Sequence, residues 1–234
     1  MAVGSLDWSP AGMPGRIALN GALVRLEVLD PEHHAESLFT SSHGEGSGEL
    51  WKHLPYGPFA GQEEFSAWLG QRAASSDPLF YAVIDVASMR ALGMASFLRI
   101  EPAHGVIEIG HIWFAPELQR TRQATEAIFL MAKHAFDDLG YRRLEWKCDS
   151  LNQPSRRAAD RFGFTFEGIF RQHLVVKGRN RDTAWFAMTD GDWPLRRAAF
   201  EAWLAPENFN EEGRQRESLS ALRTALDRAK PAPG

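Results

Sequence analysis

The clearest pattern along the chain begins after residue 121, where Ala124, Ala127, Ile128, Met131, Ala132, Ala135, Phe136 and Leu139 recur at three- and four-residue spacing. That spacing is one buried face of a helix, and Gly140 follows where a left-handed C-terminal cap belongs. Before it, "HGVIEIGHIWF" (104–114) predicts a strand; after it, "RRLEWKC" (142–148) predicts another. Strand, helix and strand make a crossover, which pairs its strands in parallel with a right-handed connection. Upstream, "ALVRLEVLD" (22–30) alternates apolar and polar residues as a half-buried strand does. Asp30-Pro31 starts a helix through "EHHAESLFTSSHG" that ends near Gly44. "GQEEFSAWLGQRAAS" sets Phe65, Trp68, Leu69 and Arg72 at helical spacing, a second helix. "PLFYAVIDV" (78–86) and "ALGMASFLRIEP" (91–102) read as strands joined by a turn around Ser88, with another turn at His104-Gly105.

Downstream, "NQPSRRAADRFG" (152–163) is a short helix ending in glycine, and "FTFEGIFRQHLVV" and "DTAWFAMTD" are strands flanking a basic turn, "KGRNR". The chain from Pro194 reads as helical, with Leu219, Leu222, Leu226 and Ala229 forming a narrow stripe for packing on the domain or on a second subunit. "ELWKHLPYGPF" (49–59) is aromatic and proline-punctuated, an ordered loop. The order β-α-α-β-β-β-α-β-α-β-β predicts an α/β fold with a mixed sheet. Residues 1–15, rich in Gly and Pro, are expected to lie loosely on the surface; 16–193 form the domain and 194–234 a C-terminal helical extension.

Composition narrows the function classes. The 234 residues suit one domain with an appendage or two very small domains, with 44% hydrophobic and 24% charged residues as in soluble globular proteins. A net charge of −4 argues against a general nucleic-acid binder while leaving room for a local basic pocket. Cys148 is the only cysteine, so no internal disulfide is possible and a reducing cytosol is the simplest setting. Apolar runs such as "AIFLMA" (127–132) fall far short of the ~20 residues that span a bilayer, and the N-terminus lacks the pattern of a signal peptide. A cytoplasmic protein with no membrane association is expected. His33-His34, His43 and His53 have neither a second cysteine nor a His-x-x-x-His pair beside them, so no metal site is expected.

The junction "LQRTRQATEA" (118–127) carries the first candidate chemistry. A helix N-terminus offers unpaired N–H groups and a positive dipole end, which together cradle phosphate. Arg120 and Arg122 would add mobile charge and bidentate donors; the alternative is that both are solvated surface residues. The loop contains no glycine, so neither the Walker nor the dinucleotide pattern is present.

Three stretches together, "IEIGHIWF", "LQRTRQATEA" and "LNQPSRRAADRFGFTFEG", resemble the acyl-coenzyme A core of the GNAT acetyltransferase superfamily. The likeness is closest to its RimJ/RimL branch of ribosomal-protein N-terminal acetyltransferases. Gln119, Ala124 and "TEA" fit that family's Gln/Arg-x-x-Gly-x-Gly/Ala pyrophosphate loop, while Arg122 stands where glycine is usual. Asn152, Ser155, Gly163 and Phe164 meet its second signature, and "KGRNRDTAWFAM" resembles the branch's last hairpin. The resemblance spans roughly residues 20–193. It implies a GNAT-type mixed sheet flanked by helices and acetyl-coenzyme A as the acyl donor. The implied contacts of that donor are Ile112, Trp113 and Phe114, whose backbone N–H groups would serve the oxyanion, then Gln119, Arg120, Thr121, Arg122, Gln123, Ala124 and Thr125, and Asn152 and Ser155.

Acetyl transfer to an amine needs a deprotonated nitrogen, donors for the oxyanion and a proton for the departing thiolate. Ser155 is the candidate acid: it lies three, four and seven residues from Ala158, Ala159 and Phe162, on the buried side of its helix. A serine there also bonds first-turn backbone groups, and Asn152 is equally a helix cap. Glu108 and His111 compete for the base, and strand alternation assigns them to opposite faces, so that only one would meet the acceptor. Each has a structural alternative, a salt bridge for Glu108 and a hydrogen-bonded core histidine for His111. Trp51, Tyr56 and Phe59 either wall the acceptor pocket or cover the core, and Arg171, Arg179 and Arg181 either recognise the acceptor or are solvated. Cys148 lies on a strand with no activating partner, which favours direct transfer. Acceptors left open are a protein N-terminus, a small amine or an amino-sugar antibiotic. A non-catalytic acyl-coenzyme A-binding module, acting through the C-terminal helices, is the rival reading.

Overall fold

In the computed structural model, which describes residues 6–44 and 47–229, eight strands form one sheet in the order β1-β2-β3-β4-β5-β6-β8-β7. The strands are β1 (Leu19–Asn20), β2 (Val24–Val28), β3 (Leu79–Asp85), β4 (Ala91–Glu101), β5 (Val106–Phe114), β6 (Arg143–Asp149), β7 (Thr165–Val176) and β8 (Arg179–Thr189). The helices are α1 (Pro31–Ser42), α2 (Gln62–Ala73), α3 (Arg122–Lys133), α4 (Gln153–Phe162), α5 (Trp193–Leu204) and α6 (Leu219–Ala229). All neighbours are antiparallel except β5 and β6, joined in parallel by the crossover through α3. This is the GNAT fold that the sequence implied.

Each face of the sheet carries its own core. On one side Tyr81, Phe97, Ile107 and Ile109 meet Ala127, Ile128 and Met131 of α3. On the other, Phe80, Ala82 and Met94 meet Leu38 of α1 and Phe65 and Leu69 of α2. Glu126 of α3, also buried, accepts the backbone N–H groups of Ala22, Leu23 and Val24 at 3.0, 2.7 and 2.7 Å. Gly21 beside it has no room for a side chain, since a Cβ there would lie 2.5 Å from the Glu126 carboxylate.

Several boundaries differ from expectation. Residues 6–15 form no helix or strand yet are pinned to the domain, with Trp8 Nε1 donating to Ala103 O at 2.9 Å and Gly12 N donating to Leu139 O at 2.8 Å. The helix that begins at Arg122 ends in a π turn, His134–Asp138, before Gly140 at φ 74°. The basic turn narrows to Lys177-Gly178, because Arg179 already pairs with Val176. The C-terminal region is two helices separated by a nonhelical stretch with a short 3-10 turn, Pro206–Asn208. The stripe on α6 packs on this same domain: Leu219 is buried and Leu222 and Leu226 lie against the core. Among the described residues no helix is long and apolar enough to cross a membrane.

Candidate active site

β5 and β6 pair only from Val106↔Arg143 to Glu108↔Glu145. Beyond that point β5 stays with β4 as far as Phe114, and β6 stays with β8 as far as Asp149. A wedge therefore opens at the carboxyl ends of two parallel strands, where open α/β sheets take their ligands. A bulge shapes it. Met94 faces Trp113 and Ser96 faces Gly110, so His111 and Ile112 together stand opposite Ala95 alone. His111 sits at φ 52°, a left-handed conformation unusual for a side-chain-bearing residue in a strand.

The inserted residue overturns the alternation argument for Glu108 and His111. Ile107 and Ile109 face α3, which turns Glu108 to the α1–α2 side. The bulge then resets the parity. His111 packs on Phe80 at 5.1 Å and stacks on Tyr56 at 5.6 Å, while Trp113 lies 5.7 Å from Trp51. Both candidate bases thus share one face.

Their surroundings differ. Glu108 is buried, and its carboxylate accepts from Arg99 at 2.6 Å and meets Lys147 Nζ at 2.9 Å. Lys147 also reaches Glu145 at 2.5 Å, so Glu108 belongs to a chain of ion pairs. His111 Nδ1 shares a hydrogen bond of 3.1 Å with the Tyr56 hydroxyl. Burial, with the charges of Arg72, Arg99 and Arg181, pushes its pKa down to about 4, so the ring is neutral at neutral pH. Burial likewise holds the Tyr56 phenol protonated, well above its ordinary range.

On the other flank of the wedge stands the N-terminus of α3. Thr121 caps it, its hydroxyl accepting from Ala124 N at 3.1 Å. Among the described residues the N–H groups of Arg122 and Gln123 meet no acceptor, as expected of a first helical turn. Gln119 fixes the preceding loop by donating to Phe114 O at 2.8 Å. The left-handed residue here is Arg120, at φ 63°, whereas Arg122 has an ordinary φ. The missing glycine at 122 is therefore no obstacle to the backbone. The guanidinium of Arg122 turns to the C-terminal extension: it donates to Leu204 O at 2.8 Å and lies 4.1 Å over the Phe209 ring. Arg161 ties the same region together, donating to Thr125 Oγ1 at 3.0 Å and lying 4.8 Å over the Trp203 ring. Of the two loop arginines, Arg120 is the one whose side chain is exposed and without a partner among the described residues.

α4 brings the other candidates to the wedge. Asn152 caps the helix, accepting from Ser155 N at 3.1 Å. The Ser155 hydroxyl oxygen accepts from Trp146 Nε1 at 3.0 Å, and the same hydroxyl hydrogen-bonds the Cys148 side chain. Burial raises the Cys148 thiol, against a smaller opposing effect of the Ser155 hydrogen bond. A protonated buried thiol is a poor nucleophile.

The α1–α2 side of the wedge is roofed by residues 51–59. Trp51 is fully buried in the α1–α2 core, and Tyr56 and Phe59 pack against it. Lys177, at the tip of the last hairpin, reaches across to donate to Trp51 O at 2.9 Å and Gly57 O at 2.6 Å. His53 Nδ1 lies 3.4 Å from Asp149 Oδ2 and fastens the roof to β6. Arg171 and Arg179 are exposed, and Arg181 is half-buried. Arg99, Lys147 and Lys177 were not singled out from the sequence. Glu145 and Lys147 share one strand face by alternation, a signal that was present; nothing local marks the other two.

The sequence relationships agree with this geometry. Residues 24–165 match the acetyltransferase (GNAT) domain family. The structure of a GCN5-related N-acetyltransferase from Brucella melitensis superposes with a TM-score of 0.92 at 50% identity, over 93% of this chain and 99% of that one. A structure described as a probable acetyltransferase of the GNAT family, from Chromobacterium violaceum, gives 0.76 at 48% identity, over 83% and 98% of the two chains. YdaF of Bacillus subtilis, provisionally named a ribosomal N-acetyltransferase, is 29% identical over 101 residues, which span 43% of this chain and 55% of that protein. The chain thus covers little more than half the length of this curated relative. The protein belongs to the GNAT acetyltransferase family.

Proposed function

We propose that the protein is an acetyl-coenzyme A-dependent N-acetyltransferase of the cytoplasm that moves an acetyl group directly to a primary amine, a protein N-terminus or a small molecule. One observation carries the reading: the wedge between β5 and β6 has the unpaired N–H groups of α3 on one flank and the Ser155 hydroxyl on the other. The donor would supply an activated acyl thioester. The residues present suit it. Arg122 and Gln123 would give backbone N–H groups to its phosphates, with the Arg120 side chain adding charge, and Asn152 would border its arm. The β5 edge beyond Glu108 lacks a strand partner, so the backbone around Ile112 and Trp113 is open to an oxyanion.

In the reaction the amine nitrogen bonds to the acyl carbon, the carbon–sulfur bond breaks, and one proton leaves the nitrogen while the thiolate gains one. An α-amino group of pKa ~7.7–8.0 is roughly a tenth deprotonated at neutral pH, so no strong base is required. His111, neutral and hydrogen-bonded to Tyr56, orients the amine as an acceptor, and Glu108 holds Arg99 and Lys147 in place at the rim. Ser155 donates toward the departing sulfur.

Thiol release from acetyl-coenzyme A, followed with N-terminal peptides and small amines, tests this. Amine-dependent release supports it, whereas tight binding without consumption would establish the non-catalytic module.

A further inference from the structure

On β8, Arg181, Thr183 and Trp185 alternate with Ala184 and Phe186, which are core on the α3–α4 side. Arg181 therefore projects to the face that carries Glu108 and His111. Its charge acts on His111 across the wedge and is itself felt alongside Asp149, Cys148 and Glu108. Yet among the described residues this half-buried guanidinium has no ion pair, and its Nε is buried without a hydrogen-bond partner. The carboxylates nearby are engaged: Glu108 by Arg99 and Lys147, Glu145 by Arg143 and Lys147, and Asp149 by His53 and the Leu151 N–H. Arg72 on α2 repeats the pattern. Its Nε is buried and unpartnered, its one side-chain hydrogen bond is a 3.4 Å contact to its neighbour Gln71, and its charge also reaches His111. A guanidinium withdrawn from water with no direct ion pair, offset only by the more distant charges of Asp149 and Glu108, is costly unless a ligand supplies a partner.

We propose that Arg181, seconded by Arg72, is the anion-recognising half of the acceptor pocket, and that the acceptor is a primary amine carrying a carboxylate close to its nitrogen. This rests on the transferase reading above. The carboxylate has two sources, the α-carboxylate of a free amino acid or the side chain of an acidic first residue in a peptide. Either forms a planar, two-point pair with guanidinium. The ion pairs around Glu108 then have a further consequence: by occupying Arg99 and Lys147 they leave Arg181 as the open cation.

The test measures thiol release from acetyl-coenzyme A with two matched pairs, glycine against glycinamide and Asp-Ala-amide against Asn-Ala-amide. Wild type is compared with Arg181→Gln and Arg181→Lys, so that intrinsic differences between the amines cancel. Arg181→Gln is expected to lower kcat/KM for the carboxylate member of one pair by roughly 10- to 100-fold, the neutral member by less than about threefold, with Lys partly restoring it. A response in the glycine pair assigns a free amino acid, and one in the dipeptide pair an acidic N-terminus. Equal losses for both members of each pair, or transfer to neutral amines alone, overturn the proposal while sparing the transferase. No thiol release with any amine removes the transferase reading itself.

Discussion

His111 combines a left-handed backbone, a neutral ring and a hydrogen bond to Tyr56 in one bulge. Its lowered pKa has a consequence for stability. Between about 4, its value in the fold, and its usual 6.5, the unfolded chain binds more protons than the native one. Stability contributed by the neutral ring is therefore complete above pH 6.5 and is lost as pH falls toward 4, a change of about 3 kcal/mol. His111→Asn, which tolerates the left-handed backbone, is expected to flatten melting temperature against pH across that window; an unchanged slope would show that other groups carry it. Ser155→Ala is expected to lower kcat by about 10- to 100-fold with donor affinity changed less than threefold, read by steady-state kinetics beside titration. An unaltered kcat would remove Ser155 from the chemistry.

At the scale of elements, α3 is held at both ends of its first turns. Glu126 satisfies three backbone N–H groups at the β1–β2 turn, and Glu126→Ala leaves them without that acceptor. A loss of about 2–4 kcal/mol is expected in denaturant unfolding; a loss under 1 would mean that water replaces the carboxylate. Arg122 braces the same helix against the end of α5 at Leu204 and the following segment at Phe209. Arg122→Ala and Phe209→Ala should therefore be nonadditive in a double-mutant cycle, with a coupling of about 0.5–2 kcal/mol. Additive losses would deny the brace. The helix itself was legible from its apolar spacing, and Thr121 and Asn152 are the caps such positions favour. The direction of the Arg122 side chain was not legible, because it depends on residues more than eighty positions away. The bulge escaped the sequence for a similar reason: it is a mismatch between two strands, and β5 alone reads as regular alternation.

Across the whole molecule, the mixed α/β class was legible from the element order and the GNAT fold from the resemblance, whereas the insertion of β8 between β6 and β7 was not. The C-terminal helices could be assigned only as far as their stripe, which matches a helix-on-domain and a helix-on-helix interface equally. Their place against α3 and α4 joins them to the main core and to the loop before α3. What local patterns could not supply was the proposed acceptor side, which is assembled from the 51–59 roof, the hairpin tip at Lys177 and the β4 residue Arg99. The central claim is that the wedge at α3 holds acetyl-coenzyme A through the phosphates. Calorimetric titration with acetyl-coenzyme A, with ATP as control, tests it most directly. Micromolar binding of the thioester, weakened at least tenfold by Arg120→Ala and not reproduced by ATP, is the predicted result. No binding, or equal binding of ATP, would contradict the account.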